Sequence, residues 1–209
     1  MNIDKLTKLK MRRKSMIERL LERKNVAFKV KVTIKTIISI AMIAMSVILP
    51  QIVHLAIGSK GGVLLLPMYL PVLIGGCILG YKWGLTIGIL SPLVSYLLTL
   101  AGGNPMPMLY RLPFMMGELG VFGLISGLMS NKIVDNPILA FPTVLISQVA
   151  GRSVFFILSV LFNQHMPITI TVVYNQLVTG LLGICIQAVI VPIIVILLNK
   201  LCESAKNNE

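Results

Sequence analysis

Long apolar segments separated by short polar ones fill most of this chain. A helix needs about 20 largely apolar residues to cross the hydrocarbon layer of a bilayer, and six segments meet that requirement. The pattern therefore predicts an all-α membrane protein with six transmembrane helices, called spans one to six below. They lie at roughly residues 33–56, 62–80, 84–101, 111–129, 138–162 and 175–199.

The composition agrees with this prediction. Of the 209 residues, 56% are hydrophobic and only 12% are charged. The spans leave no room for a soluble catalytic domain. We therefore divide the chain into a basic N-terminal segment (1–32), a membrane domain (33–200) and a short tail (201–209).

The net charge of +12 is concentrated near the N-terminus, where residues 1–35 hold twelve Lys and Arg against three acidic residues. Such a charge often indicates a nucleic-acid partner, but the rest of this chain is soluble in lipid. We therefore expect a bilayer and no nucleic acid. Because Lys and Arg are retained on the cytoplasmic side, we predict a multi-pass protein of the cell membrane with both termini inside.

The basic N-terminal segment contains KLKMRRKSMIERLLERK, in which Met16, Ile17, Leu20 and Leu21 recur at helical spacing. Two interpretations stay open at this point. The segment forms an amphipathic helix on the anionic inner leaflet, or it is a solvated, partly disordered tail.

Ionisable residues inside spans are costly and indicate functional sites. With a rise of 1.5 Å per residue, Glu118 in span four lies about 10 Å from the outer end and Arg152 in span five about 15 Å. Opposite charges at similar depth on consecutive spans could meet. They would then either contact a ligand or form a buried ion pair that fixes helix register.

Other polar residues share the outer half of the membrane and predict an outward-facing cavity. Pro67 and Pro71 flank Tyr69 and indicate irregular backbone beside that cavity, although ordinary kinking is an alternative. A serine and threonine stripe on span three could instead bond to its own helix. The polar residues are His54, Tyr69, Ser91, Ser95, Tyr96, Thr99, Gln148, Asn175 and Gln176.

Small residues predict close helix packing. Gly76, Gly80, Gly84 and Gly88 recur every four residues, with a turn expected near residues 81–83, and span four has a second glycine face at Gly120, Gly123 and Gly127. Small residues let helices approach closely in lipid.

Several kinds of chemistry have no signature here. The sequence contains no phosphate-binding GxxxxGK[ST], no HExxH and no GxSxG. The three cysteines have no CxxC spacing, so we predict no disulfide, metal or cofactor. A solute-binding membrane protein powered by other subunits fits these absences better than an enzyme does.

The run from Gly61 to Ser130 contains LPMYLPVLIGG, SPLVS and PFMMGELGVFG, and AGRSVFF and QAVIVP follow later in the chain. This set of motifs resembles the S component of energy-coupling factor (ECF) transporters. It implies a six-helix subunit that binds one vitamin or micronutrient from outside. Such a subunit joins a membrane coupling subunit and two ATPases, and topples to release its cargo.

The resemblance also implies site residues. Glu118 and Arg152 are the first candidates for ligand contacts. Many relatives have His where this chain has Tyr69. The further candidates are Tyr69, Asn104, Tyr110, Gln148, Asn175 and Gln176.

Docking on the coupling subunit uses small residues of span one in this family, often spaced AxxxA. The sequence IISIAMIAMS has no strict AxxxA. It offers Ser39, Ala41, Ala44 and Ser46 instead.

Alternatives remain at this point. A stand-alone secondary transporter or channel would transport a small polar solute without an ATPase, and a lipid-acting enzyme would use Glu118. An arginine-dominated pocket suits a carboxylate such as pantothenate, whereas Glu118 suits a pyridoxine-like or hydroxymethylpyrimidine-like ring. We slightly favour the ring, but neither inference holds if the two charges pair with each other.

Overall fold

The computed structural model describes residues 15–23, 27–58, 66–103, 105–162 and 170–207. Within these ranges the chain forms helices joined by short turns, and no strand is present. A 3₁₀ turn precedes α5 at Leu109–Arg111 and another precedes α6 at Pro137–Leu139. The helices are α1 (Met16–Arg23), α2 (Phe28–Ile57), α3 (Tyr69–Leu79), α4 (Tyr81–Ala101), α5 (Leu112–Asp135), α6 (Ala140–Leu161) and α7 (Ile170–Asn207).

Five helical segments of the described chain are long and apolar enough to cross a membrane, which confirms an all-α, multi-pass membrane protein. The helix within predicted span two, α3, has 11 residues and is about 16 Å long, whereas the hydrocarbon layer is about 30 Å thick. The count of six spans therefore stays a prediction, and so do the domain boundaries. The five segments are Phe28–Ala56, Tyr81–Ala101, Leu109–Asp135, Pro137–Leu161 and Val178–Cys202.

The backbone before α3 is irregular, as the two prolines predicted. Residues 66–68 form a turn in which Leu66 has a φ of 47° and its carbonyl accepts a hydrogen bond from the amide of Tyr69. Pro67 lies in this turn. Pro71 lies in the first turn of α3, where its missing N–H removes no helical hydrogen bond.

Helix α3 lies at the centre of the bundle. Tyr69 and every residue from 71 to 79 are buried, as expected for a helix that is apolar on all sides. The outer surfaces of α2, α6 and α7 instead expose large aliphatic side chains such as Ile37, Ile146 and Leu197. These surfaces suit contact with lipid.

Glycines bring α4 and α5 into backbone contact. A Cβ atom at Gly84 would lie 2.2 Å from the carbonyl oxygen of Gly123, and one at Gly88 would lie 2.1 Å from that of Leu119. Side chains at these positions would force the helices apart, so the predicted small-residue packing is confirmed. The predicted break between α3 and α4 occurs at Gly80, whose φ is 92°.

Helix α1 packs against the end of the bundle where α2 begins and α5 ends. Met16 is 4% exposed and belongs to the hydrophobic core. Nη1 of Arg19 lies 2.8 Å from Oδ1 of Asp135, and Nζ of Lys35 lies 3.2 Å from Oε1 of Glu18. Residues 16–23 of the basic segment are therefore helical and cover protein with part of their apolar side.

Candidate functional site

The two ionisable residues that the sequence placed at similar depth are in contact. Nη1 of Arg152 on α6 lies 3.0 Å from Oε1 of Glu118 on α5. Glu118 is fully buried and Arg152 is 7% exposed. The pair therefore lies inside the bundle, where each charge depends on the other for compensation.

Tyr69 joins this pair from a third helix. Its hydroxyl donates a hydrogen bond to Oε2 of Glu118 at 3.0 Å, and the Arg152 guanidinium carbon lies 5.2 Å from the centre of its ring. The ring also packs edge-on against Phe122, with centroids 5.1 Å apart. Both oxygens of Glu118 thus face a partner, and the ring–cation contact adds to the attraction on Arg152.

The guanidinium retains hydrogen-bonding capacity. Although Nη1 is close to Glu118, no nitrogen of Arg152 makes a well-aligned hydrogen bond within the described part of the chain. A guanidinium carries five N–H donors in a planar fork, and buried donors are normally satisfied. The guanidinium can therefore donate hydrogen bonds to acceptor atoms of a bound molecule.

A chain of side-chain amides lies beside the group formed by Glu118, Arg152 and Tyr69. Gln148, one helical turn before Arg152, donates through Nε2 to Oε1 of Gln187 at 3.3 Å. Gln187 in turn donates to the carbonyl oxygen of Leu66 at 2.8 Å. The irregular turn before α3 thus presents its carbonyl to α7, which links Tyr69, α6 and α7 through one polar network.

Gln187 was not among the predicted site residues. It occurs in the matching stretch QAVIVP, and as an amide inside an apolar span it carries the same signal as Gln148. The site candidates were chosen from the outer half of the predicted spans. Gln187 was not chosen because it lies further along span six than Asn175 and Gln176.

A cavity of about 520 Å³ opens between α6 and α7. Arg152 and Gln148 line it on one side, and most of the remaining wall is apolar. Its location brings the Arg152 guanidinium and the Gln148 amide to the edge of a space large enough for a small molecule, whereas Glu118, Tyr69 and Gln187 lie behind them. The other lining residues are Leu145, Val149, Ser153, Phe156, Ile157, Val178, Leu181 and Ile184.

Tyr110 lies near this region without joining the network. It packs with Phe114 and Phe155, which are about one turn from Glu118 and Arg152 respectively. Asn104 lies outside the described residues. Asn175 and Gln176 lie on α7, but their side chains are outside the part that the structure describes.

Two members of the serine and threonine stripe on α4, Ser95 and Thr99, hold the segment between α4 and α5, whereas the Ser91 hydroxyl has no hydrogen-bond partner among the described residues. The hydroxyl of Thr99 accepts a hydrogen bond from the Met106 amide at 2.8 Å and donates to the Ser95 carbonyl of its own helix at 2.7 Å. Ser95 donates to the Met106 carbonyl at 2.9 Å. The bond to its own helix is therefore confirmed for Thr99, while Ser95 and Thr99 together fix the segment between α4 and α5.

The predicted docking residues of α2 fall on two faces. Ser39 and Ser46 are buried, and each hydroxyl donates to a carbonyl of its own helix. Ala41 and Ala44 are exposed. Only the alanines therefore lie on a face that another protein could contact.

Metal ligands do not converge in the part of the chain that the structure covers. No group of three or more His, Cys, Asp or Glu side chains is found there. The chemistry available at the site is hydrogen bonding and ion pairing around Arg152.

Comparison with known proteins supports the resemblance seen in the sequence. Residues 35–195, well over half of the chain, match the family model described as the ECF transporter, substrate-specific component. No curated protein and no solved structure matches the chain.

Proposed function

The chain belongs to the substrate-specific components of ECF transporters, and on that premise we propose that it binds a small water-soluble vitamin or vitamin precursor beside Arg152. Family membership implies a small-molecule substrate and membrane and ATPase partners in general, and it describes a transporter subunit instead of an enzyme. The specific proposal is high-affinity binding from the outer side, with a membrane coupling subunit and two ATPases supplying the energy. Both termini are then cytoplasmic.

The observation that carries this proposal is the guanidinium of Arg152. It is almost fully buried, it lines the cavity between α6 and α7, and its nitrogens have no well-aligned hydrogen bond among the described residues. Leaving buried donors unsatisfied costs about 1–3 kcal/mol each. A ligand that supplies acceptors recovers this energy, which favours binding.

The charge of the ligand is less constrained than the sequence suggested. Arg152 pairs with Glu118, and Tyr69 bonds the other oxygen of Glu118. The reasons for weighing a carboxylate against a pyridoxine-like or hydroxymethylpyrimidine-like ring therefore no longer apply. The proposed contacts are Arg152 first, supported by Gln148, Tyr69 and Glu118, with Asn104, Tyr110, Asn175 and Gln176 as further candidates.

We propose that the chain docks on the coupling subunit through the face of α2 that points away from the helix bundle. Ala41 and Ala44 are exposed there, and so are the large side chains of Ile37, Ile40 and Ile48. Small residues between large apolar ones allow a second helix to approach closely.

The test of ligand binding is native mass spectrometry of the gently purified full chain, followed by thermal-shift titration with B vitamins and their precursors. Arg152→Lys keeps the charge opposite Glu118 but removes the planar fork of donors, so it should weaken binding at least about tenfold. Ser147→Ala is the matched control, because Ser147 on the same helix donates only to its own helix carbonyl at Thr143. Equal binding by wild type and Arg152→Lys would refute the assigned contact.

Reconstitution separates this function from its alternatives. In proteoliposomes that contain the chain alone, no accumulation of the identified ligand is expected. Accumulation should require a coupling subunit and ATPases with ATP. Uptake by the chain alone would favour a stand-alone transporter, and chemical conversion of the ligand would favour an enzyme.

A further inference from the structure

A second cavity, of about 320 Å³, lies at the other end of the bundle from the predicted outer pocket. It is enclosed by α1, the junction of α3 and α4, the start of α2 and the last turns of α5. Polar and aromatic side chains form much of its wall. The lining residues are Ser15, Glu18, Lys35, Leu79, Gly80, Tyr81, Lys82, Trp83, Gly127, Leu128 and Asn131.

The residues that line it are typical of the boundary between hydrocarbon and headgroups. Tyr81 and Trp83 begin α4 and both line the cavity, and rings of this kind concentrate at membrane interfaces. Lys35 and Lys82 line the same cavity. Long lysine side chains near helix ends extend their ammonium groups to the interface.

Among the described residues, the charges of the cavity are only partly balanced. Lys35 is paired with Glu18 at 3.2 Å. Lys82 is exposed, and among the described residues no acidic side chain pairs with it. The Ser15 hydroxyl is buried and has no hydrogen-bond partner in the described chain. Within the described part of the chain, the Lys82 ammonium and the Ser15 hydroxyl are thus left without a protein partner at the wall.

We propose that this cavity binds the headgroup of an anionic phospholipid, with its phosphate near Lys82 and Ser15. A phosphodiester carries one negative charge and several acceptor oxygens, which matches one uncompensated ammonium and one unpaired hydroxyl. The surrounding membrane is the favoured source because the lining residues are typical of headgroup level. Basic pockets between helices on the anionic cytoplasmic side are suited to such headgroups. This proposal does not depend on which solute binds beside Arg152.

The experiment uses the full chain in nanodiscs of phosphatidylcholine alone or with phosphatidylglycerol. Lipids retained after release are identified by native mass spectrometry. Wild type should retain phosphatidylglycerol in preference to phosphatidylcholine, and Lys82→Gln should lower that preference about fivefold. Lys82→Arg should preserve it, and Ser15→Ala should lower it. Lys200→Gln is the matched control, because it removes the same charge near the cytoplasmic end of α7, outside the cavity lining.

Three results would overturn the proposal. Equal retention of both lipids by wild type would remove the specificity for an anionic headgroup. An equal loss in Lys200→Gln would show that general surface charge attracts the lipid. Stabilisation by inorganic phosphate or glycerol phosphate in phosphatidylcholine nanodiscs, equal to that by phosphatidylglycerol, would identify a soluble anion as the occupant.

Discussion

Nη1 of Arg152 lies 3.0 Å from Oε1 of Glu118, where the bundle excludes Glu118 from solvent completely. The two residues come from neighbouring helices, and Tyr69 approaches them from a third. Since both charges are buried, each is tolerated because the other is present. The pair therefore has a structural role in addition to the ligand contact proposed for Arg152.

Removing one member of this pair should destabilise the protein more than removing both. Glu118→Gln or Arg152→Met leaves a buried charge without its partner, at a cost of about 3–5 kcal/mol, whereas the double variant leaves none. Unfolding of the four proteins by sodium dodecyl sulfate, followed by circular dichroism, measures the coupling. Strictly additive effects would contradict a direct pair.

Tyr69→Phe should destabilise the fold by about 1.5–3 kcal/mol. It removes a hydrogen bond to an ionised carboxylate but keeps the ring that packs on Phe122. Tyr96→Phe is the control, since Tyr96 on α4 is partly exposed and the two oxygens of Glu118 face Tyr69 and Arg152 instead. The same unfolding assay compares the two variants, and an equal loss would count against the bond to Glu118.

Gly123→Ala should destabilise the bundle even though alanine is normally the better helix former. The added Cβ would lie 2.0 Å from the Gly84 carbonyl oxygen, and overpacking of this kind costs about 1–3 kcal/mol or more. At Gly102 the nearest atom, the Thr99 carbonyl oxygen, is 3.5 Å away, so Gly102→Ala should be tolerated. A thermal unfolding temperature for Gly123→Ala at or above that of wild type would refute the close contact of α4 and α5.

Thr99→Val should loosen the segment between α4 and α5. The substitution leaves the Met106 amide without the hydroxyl that accepts its hydrogen bond at 2.8 Å, at a cost of about 1–3 kcal/mol. Thr86 on the same helix bonds only to its own helix, through the Lys82 carbonyl. Hydrogen exchange of the peptide containing residues 105–108 should therefore accelerate in Thr99→Val and stay unchanged in Thr86→Val.

Much of the site was accessible from the sequence because charges are rare and costly in lipid. Two opposite charges at similar depth on consecutive spans predicted the meeting of Glu118 and Arg152, and the prolines around Tyr69 predicted an irregular turn. Each inference needed only the helical rise, the apolar pattern and the cost of burying a polar group.

Other features depend on how the helices rotate and pack. The sequence placed Ser39 and Ala41 in one docking set, but α2 directs Ser39 into the bundle and exposes Ala41. Depth along a span did not identify Gln187, which reaches the Leu66 carbonyl only because the turn before α3 lies next to α7.

The sequence alone thus determined the membrane location and the helical class, and it indicated that Glu118 and Arg152 lie at similar levels, since these follow from local composition and a fixed rise per residue. The tertiary structure decided which oxygen of Glu118 faces Arg152 and which faces Tyr69, and it placed α1 on the end of the bundle. Such contacts join residues far apart in the chain, so their geometry is set by the packing of whole helices.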